Sequence, residues 1–239
     1  MPEIMDAHPL TIAVIAAAMM TVPFHIVCTY AFGSGFTWRG AVIAGCSIAW
    51  GGMMTAVCIA DVPRSIGPVG QLIIPTCWLT PSAILLLGRR WFRPELLDQR
   101  WLVGLQLWRV IGAVFLLEMT RGNLPGIFAW PAGVGDIIAA LVALVVLLRF
   151  RGQRRFPRWA VVLVAAVGLV DFAGAFFFGF FSNETPVQLF FPEVPNDVLS
   201  YPTGLVPLFL VPWAIFFHVL SLLALREPDP TVHTPEAEG

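Results

Sequence analysis

An all-α bundle of seven transmembrane helices, with the N-terminus outside and the C-terminus cytoplasmic, is the fold this sequence predicts. Three observations lead there. Of 239 residues, 58% are hydrophobic and only 12% are charged, whereas a soluble domain carries roughly 25% charged residues. So few charges do not cover a water-facing surface. Seven apolar runs follow one another with polar turns between them, each near the ~20 residues a helix needs to cross a bilayer. Finally, all 14 basic residues are arginine, and they collect on one side of those runs.

The runs lie at about 10–32, 40–60, 69–88, 101–118, 125–148, 159–181 and 204–225. The first follows "MPEIMDAHPL", which has Glu3 and Asp6 and no base. That is not the positive start of a cleaved signal peptide, so the run reads as a retained helix. The second, "GAVIAGCSIAWGGMMTAVCIA", is rich in small residues. The third, "VGQLIIPTCWLTPSAILLLG", is interrupted by Pro75 and Pro81. Near their middles, the fourth carries Arg109, the fifth Asp136 and the sixth Asp171. In the seventh, "GLVPLFLVPW" places Pro207 and Pro212 five residues apart, a spacing that predicts a kink. Residues 1–226 thus read as a single domain, and 227–239 as a disordered, acidic, Pro-rich cytoplasmic tail. The longest connection, 182–203, is acidic and reads either as a lid or as a spacer.

Basic residues favour the cytoplasmic side of a membrane protein. One side collects Arg39, Arg89, Arg90, Arg93, Arg100, Arg149, Arg151, Arg154, Arg155, Arg158 and Arg226, against Arg64 and Arg121 on the other. Trp38, Trp91, Trp101 and Trp159 fall at the same boundary, where indoles anchor well. The loop Arg149–Arg158 suits anionic lipid headgroups, and its charge is explained without nucleic acid.

A charged residue at a helix centre costs roughly 2.5–3.5 kcal/mol to insert. Three of them at similar depth on consecutive helices therefore imply a pairing of Arg109 with Asp136, Asp171 or both. Gln106, Arg109 and Gly112 recur every three residues, as do Gly168, Asp171 and Gly174, and Gly133 and Gly135 flank Asp136. Small residues of this kind let helices approach closely. Pro131, five residues before Asp136, suggests a bent or broken fifth helix. Two readings stand. Arg109, Asp136, Asp171 and Gln106 are a site for a small solute or for protons, or the protein is a non-catalytic structural or assembly partner of a membrane complex and the charges are a pin that locks three helices. One arginine against two aspartates leaves a negative charge over, which favours the first.

Other candidates are weaker. His25 and His218 lie at similar depth, the spacing of a haem or metal pair, but no further ligand accompanies them; no cofactor is expected. Glu118 falls at the outer mouth of the fourth run, where water would solvate it. Cys28, Cys46, Cys58 and Cys77 sit in apolar runs with no paired spacing and read as small hydrophobes. Hydrolase and nucleotide-binding motifs are lacking, which points away from an enzyme. The absence of lysine excludes Schiff-base chemistry.

In "QLWRVIGAVFLLEMTRGNLPGIFAWPAGVGDIIAALVAL" and "YPTGLVPLFLVPWAIFFHVLSLLALR" the chain resembles small multi-pass proteins of the bacterial inner membrane that carry no assigned activity. The likeness rests on Q-x-x-R-x-x-G, the PAG-x-GD segment and the Pro-rich last run, and covers the second half of the chain. It implies a location and no catalytic residue.

Overall fold

Long apolar segments fold as helices because only intrasegment pairing satisfies every backbone N–H and C=O away from water. The computed structural model describes residues 7–35 and 37–225. Among them are seven helices long and apolar enough to cross a membrane and no strand. They are α1 (Pro9–Gly33), α2 (Thr37–Ile59), α3 (Val69–Leu87), α4 (Gln99–Thr120), α5 (Gly126–Arg149), α6 (Arg158–Phe181) and α7 (Val206–Leu223). Each lies within a few residues of its expected run. The tail at 227–239 falls outside the described residues.

The helices are not equivalent. In α7, 78% of the apolar window is buried, against 28–50% in the other six. The last helix is therefore the core, and it packs on α3, α4 and α6 and touches α1 and α2 through its first turn. α4, α5 and α6 pack side by side, and α1 joins α2 to α4. Outward faces carry large apolar side chains such as Met20, Phe24, Leu87 and Val170, each at least 70% exposed, a surface suited to lipid rather than water. Cys46 also faces outward on α2, whereas Cys28, Cys58 and Cys77 are buried; all four are free thiols.

Three helices depart from α geometry, and α3 does so only at its start, which is 3-10 through Leu72. α4 tightens to 3-10 spacing over Leu105–Gly112 before resuming as α. α7 begins with a π-turn over Val206–Leu210, a form associated with local strain and function. Its origin is legible in the prolines. The Val211 N–H pairs with the Val206 carbonyl, five residues back. The next carbonyl in that register, Pro207, would need an N–H from Pro212, which has none. The Trp78 indole supplies it instead, at 2.8 Å. Pro131, by contrast, leaves α5 unbroken from Gly126 to Arg149. The expected break in the fifth helix is absent, and the irregular backbone lies in α4, in α7 and at the start of α3.

The arginine-rich end is tied together by some of its own charges. Buried Asp98 caps α4 by accepting from the Arg100 N–H at 2.9 Å, and pairs with the Arg100 and Arg154 side chains. Arg154 also donates to the Gly33 carbonyl and Arg155 to that of Glu95. Arg39 lies over the rings of Trp38 and Trp91. Arg149, Arg151 and Arg158 are exposed.

Candidate functional site

The 3-10 stretch of α4 makes three residues one turn, so side chains three apart stack in a column. Gln106, Arg109 and Gly112 form that column on its buried face. Arg109 is fully buried. Its Nε donates to Asp136 Oδ1 at 2.8 Å and its Nη2 donates to Asp171 Oδ2. The guanidinium also lies over the Phe172 ring, 3.9 Å from its centroid. One arginine thus bridges two carboxylates from two other helices.

Three glycines make the approach possible. A Cβ on Gly112 of α4 would stand 2.6 Å from Asp136 Oδ2, and one on Gly135 of α5 would collide with the Asp171 carboxylate. On Gly168 of α6 it would meet the His218 ring and, at 2.7 Å, Arg109 Nη1. Each helix of the trio thus gives up a side chain to admit its neighbour's polar group. Gly174 serves no such purpose, with open space around its missing Cβ.

Arg109, Asp136 and Asp171 meet, but Gln106 stands apart. It donates to the Ala214 carbonyl on α7 at 3.2 Å, and its Oε1 has no partner. Nor do the histidines form a pair. His25 Nε2–H donates to the Trp101 carbonyl at 2.6 Å, one turn before α4 changes spacing. His218 lies against Gly168 and Arg109 instead, and neither its Nε2 nor Arg109 Nη1 has a hydrogen-bond partner. Among the described residues no group of three ligands gathers for a metal. The sequence pointed to His218 for a different reason. Gly168, three residues before Asp171, is what leaves room for the His218 ring.

Glu118 is the clearest departure from expectation. Rather than being solvated, it is fully buried. It accepts from the His8 backbone N–H at 3.0 Å, the Thr11 hydroxyl and Asn123 Nδ2 at 2.6 Å. It ties the start of α1 to α4. Its burial is not marked in the local sequence, because the partners that enclose it, His8 and Thr11, are 110 and 107 residues away, while Asn123 and Arg121 lie nearby.

The carboxylates form the floor of a narrow cavity. Asp136 and Asp171 line it together with Trp78, Phe128, Phe172 and Phe176; Arg109 does not. Its volume is about 40 Å³, on a measure where one water needs roughly 10–15 Å³. A few waters fit, and a bulky solute does not. At the other end Gln71 and Asn183 lead to a wider vestibule of about 390 Å³, which they also line. The long 182–203 connection walls this vestibule with Glu184, Asn196 and Asp197, and Asn196 is fixed by donating to Ser182 Oγ at 2.7 Å. Arg64, its one base, is engaged by Asp197 and Asp61. Burial alone would lower the Arg64 pKa, but the Asp197 hydrogen bond and the charges of Asp197, Asp61 and Glu184 raise it overall.

Seven apolar helices, with an arginine–carboxylate cluster buried among three and a cavity leading to it, define an all-helical architecture compatible with a multi-pass membrane protein. The chain belongs to the family described as Domain of unknown function (DUF8737), which matches residues 71–226. That match runs from Gln71 through α7 and includes every residue of the cluster. No curated protein and no solved structure matches the chain.

Proposed function

We propose that this is a multi-pass protein of the bacterial inner membrane that binds or translocates a small solute or protons. The site is formed by Arg109, Asp136 and Asp171. Its orientation is N-terminus outside and C-terminus cytoplasmic, following the eleven-to-two division of arginines, so the vestibule opens outward. Arg151 and Arg158, exposed on the inner loop, meet anionic headgroups.

One observation carries the reading: the two carboxylates floor a cavity that continues to a polar vestibule. A charge cluster that only locks helices needs no such approach. On its far side the cluster holds two polar atoms without partners, Arg109 Nη1 and His218 Nε2, so the site has bonding capacity to spare. With both aspartates ionised it carries one surplus negative charge, which a proton or cation balances.

The second reading, a structural pin, is favoured by the fact that Arg109 contacts both carboxylates. Thermal unfolding of the purified Asp136→Asn and Asp171→Asn variants separates the two. Loss of a partner from a buried pin is strongly destabilising, whereas functional sites commonly sacrifice stability. A functional site therefore predicts unchanged or raised midpoints, together with loss of proton uptake in proteoliposomes bearing an internal pH dye. Wild-type uptake in Asp136→Asn would overturn the proposal.

A further inference from the structure

We infer that the cavity takes a small primary ammonium ion, entering from the vestibule and held between Gln71 Oε1 and the Asp171 carboxylate. The inference rests on the proposed function and names the ligand class of that site. It starts from Gln71, which is only 9% exposed and whose Oε1 has no hydrogen-bond partner among the described residues. This side chain stands where cavity and vestibule meet. A buried acceptor left unmatched costs on the order of 1–3 kcal/mol, and a ligand that donates removes that cost.

The free polar atoms along the route are of the same kind. Arg109 takes Oδ1 of Asp136 and Oδ2 of Asp171. Among the described residues no hydrogen bond reaches the other oxygen of either carboxylate, and each retains lone pairs. Arg109 is behind the floor rather than in it, so an entering anion meets carboxylates and no free base. The vestibule repeats this sign, with Asp61, Glu184 and Asp197 against Arg64. Walls of one sign raise the local concentration of the opposite charge.

The walls and the volume narrow the class further. Trp78, Phe128, Phe172 and Phe176 line the cavity, and aromatic rings attract cations over their faces; Phe172 already holds Arg109 in this way. An alkali ion in place of its hydration shell needs a cage of oxygens, and the lining is mostly apolar. An ammonium group needs only a few acceptors for its N–H bonds and tolerates apolar walls around its carbon. Room for a few waters admits methylammonium and excludes larger amines. Hydronium shares the donor chemistry and is separated by the test.

The test uses the full chain in detergent and in proteoliposomes. The unfolding midpoint is followed against methylammonium chloride, tetramethylammonium chloride and sodium acetate at matched ionic strength. The expected result is a saturable rise with methylammonium alone. Half-saturation should be weaker by about tenfold or more in both Gln71→Leu and Asp171→Asn, the factor for losing one hydrogen bond to a charge. Gln71→Leu keeps the test decisive if the aspartate variant folds poorly. A rise with acetate or equally with tetramethylammonium overturns the ammonium assignment. So does an inert methylammonium titration when proteoliposomes still show Asp171-dependent proton uptake, in which case the proposed function survives with protons as the ligand. Absence of both overturns inference and function together.

Discussion

Two buried polar groups are built on the same helix, and their surroundings differ in one decisive way. Glu118, at one end of α4, is saturated: a backbone N–H, a hydroxyl and an amide fill its oxygens. The Arg109 cluster in the middle of α4 is not. Arg109 Nη1, His218 Nε2 and Gln106 Oε1 have no hydrogen-bond partners, and the carboxylates border a cavity. A polar group that exists to hold helices together gains from using every bond. One that receives a ligand keeps some open. Burial alone does not separate the two, since both Glu118 and Arg109 are fully buried; saturation does.

Substitutions can break this contrast. The largest effect is expected from Arg109→Met, which leaves two buried carboxylates facing each other at a cost of roughly 3–5 kcal/mol. Folded yield by size exclusion should collapse, and adding Asp136→Asn with Asp171→Asn should restore it. Glu118→Ala strands three donors and should cost roughly 2–3 kcal/mol, allowing for partial hydration at a helix end. Its unfolding midpoint should fall while half-saturation by methylammonium stays at the wild-type value. If binding falls too, the pin and the site are one unit and the contrast is lost.

Finer changes sharpen it. Gly168→Ala drives a methyl into His218 and Arg109 Nη1, an overpacking of about 1–3 kcal/mol. Denaturation should show that loss, whereas Gly174→Ala, with open space around it, should show none. Trp78→Phe removes the donor to the Pro207 carbonyl and keeps the ring, for about 1 kcal/mol. A loss of that size, seen by thermal unfolding, would tie the π-turn to its indole cap.

Much of the architecture was legible. Hydropathy and arginine placement specify seven spans, because a helix away from water must be both long and apolar. Depth was legible as well: residue number along a span measures it, so Arg109, Asp136 and Asp171 could be matched. Azimuth was not. Helices apolar on every face have no amphipathic stripe to show which side turns inward. For that reason Gln106 was grouped with the charges although it bonds to α7, and His218 was set beside His25 although it faces Arg109. Glu118 was misjudged because its partners lie in a distant segment. A bent or broken helix was expected at Pro131, but α5 runs unbroken through it. Pro212 had more effect because it removed the donor that Pro207 required.

The burial of α7 also has a meaning in time. A ribosome releases a chain at about 5–20 residues per second, N-terminal parts first, so the most buried of the seven helices follows the other six. Until it arrives, the six helices before it lack their centre, and Arg109 lacks the neighbour that His218 of α7 provides. Assembly is therefore a closing step rather than a sequential one. A chain stopped even one helix short lacks its keystone, a natural checkpoint for quality control to read.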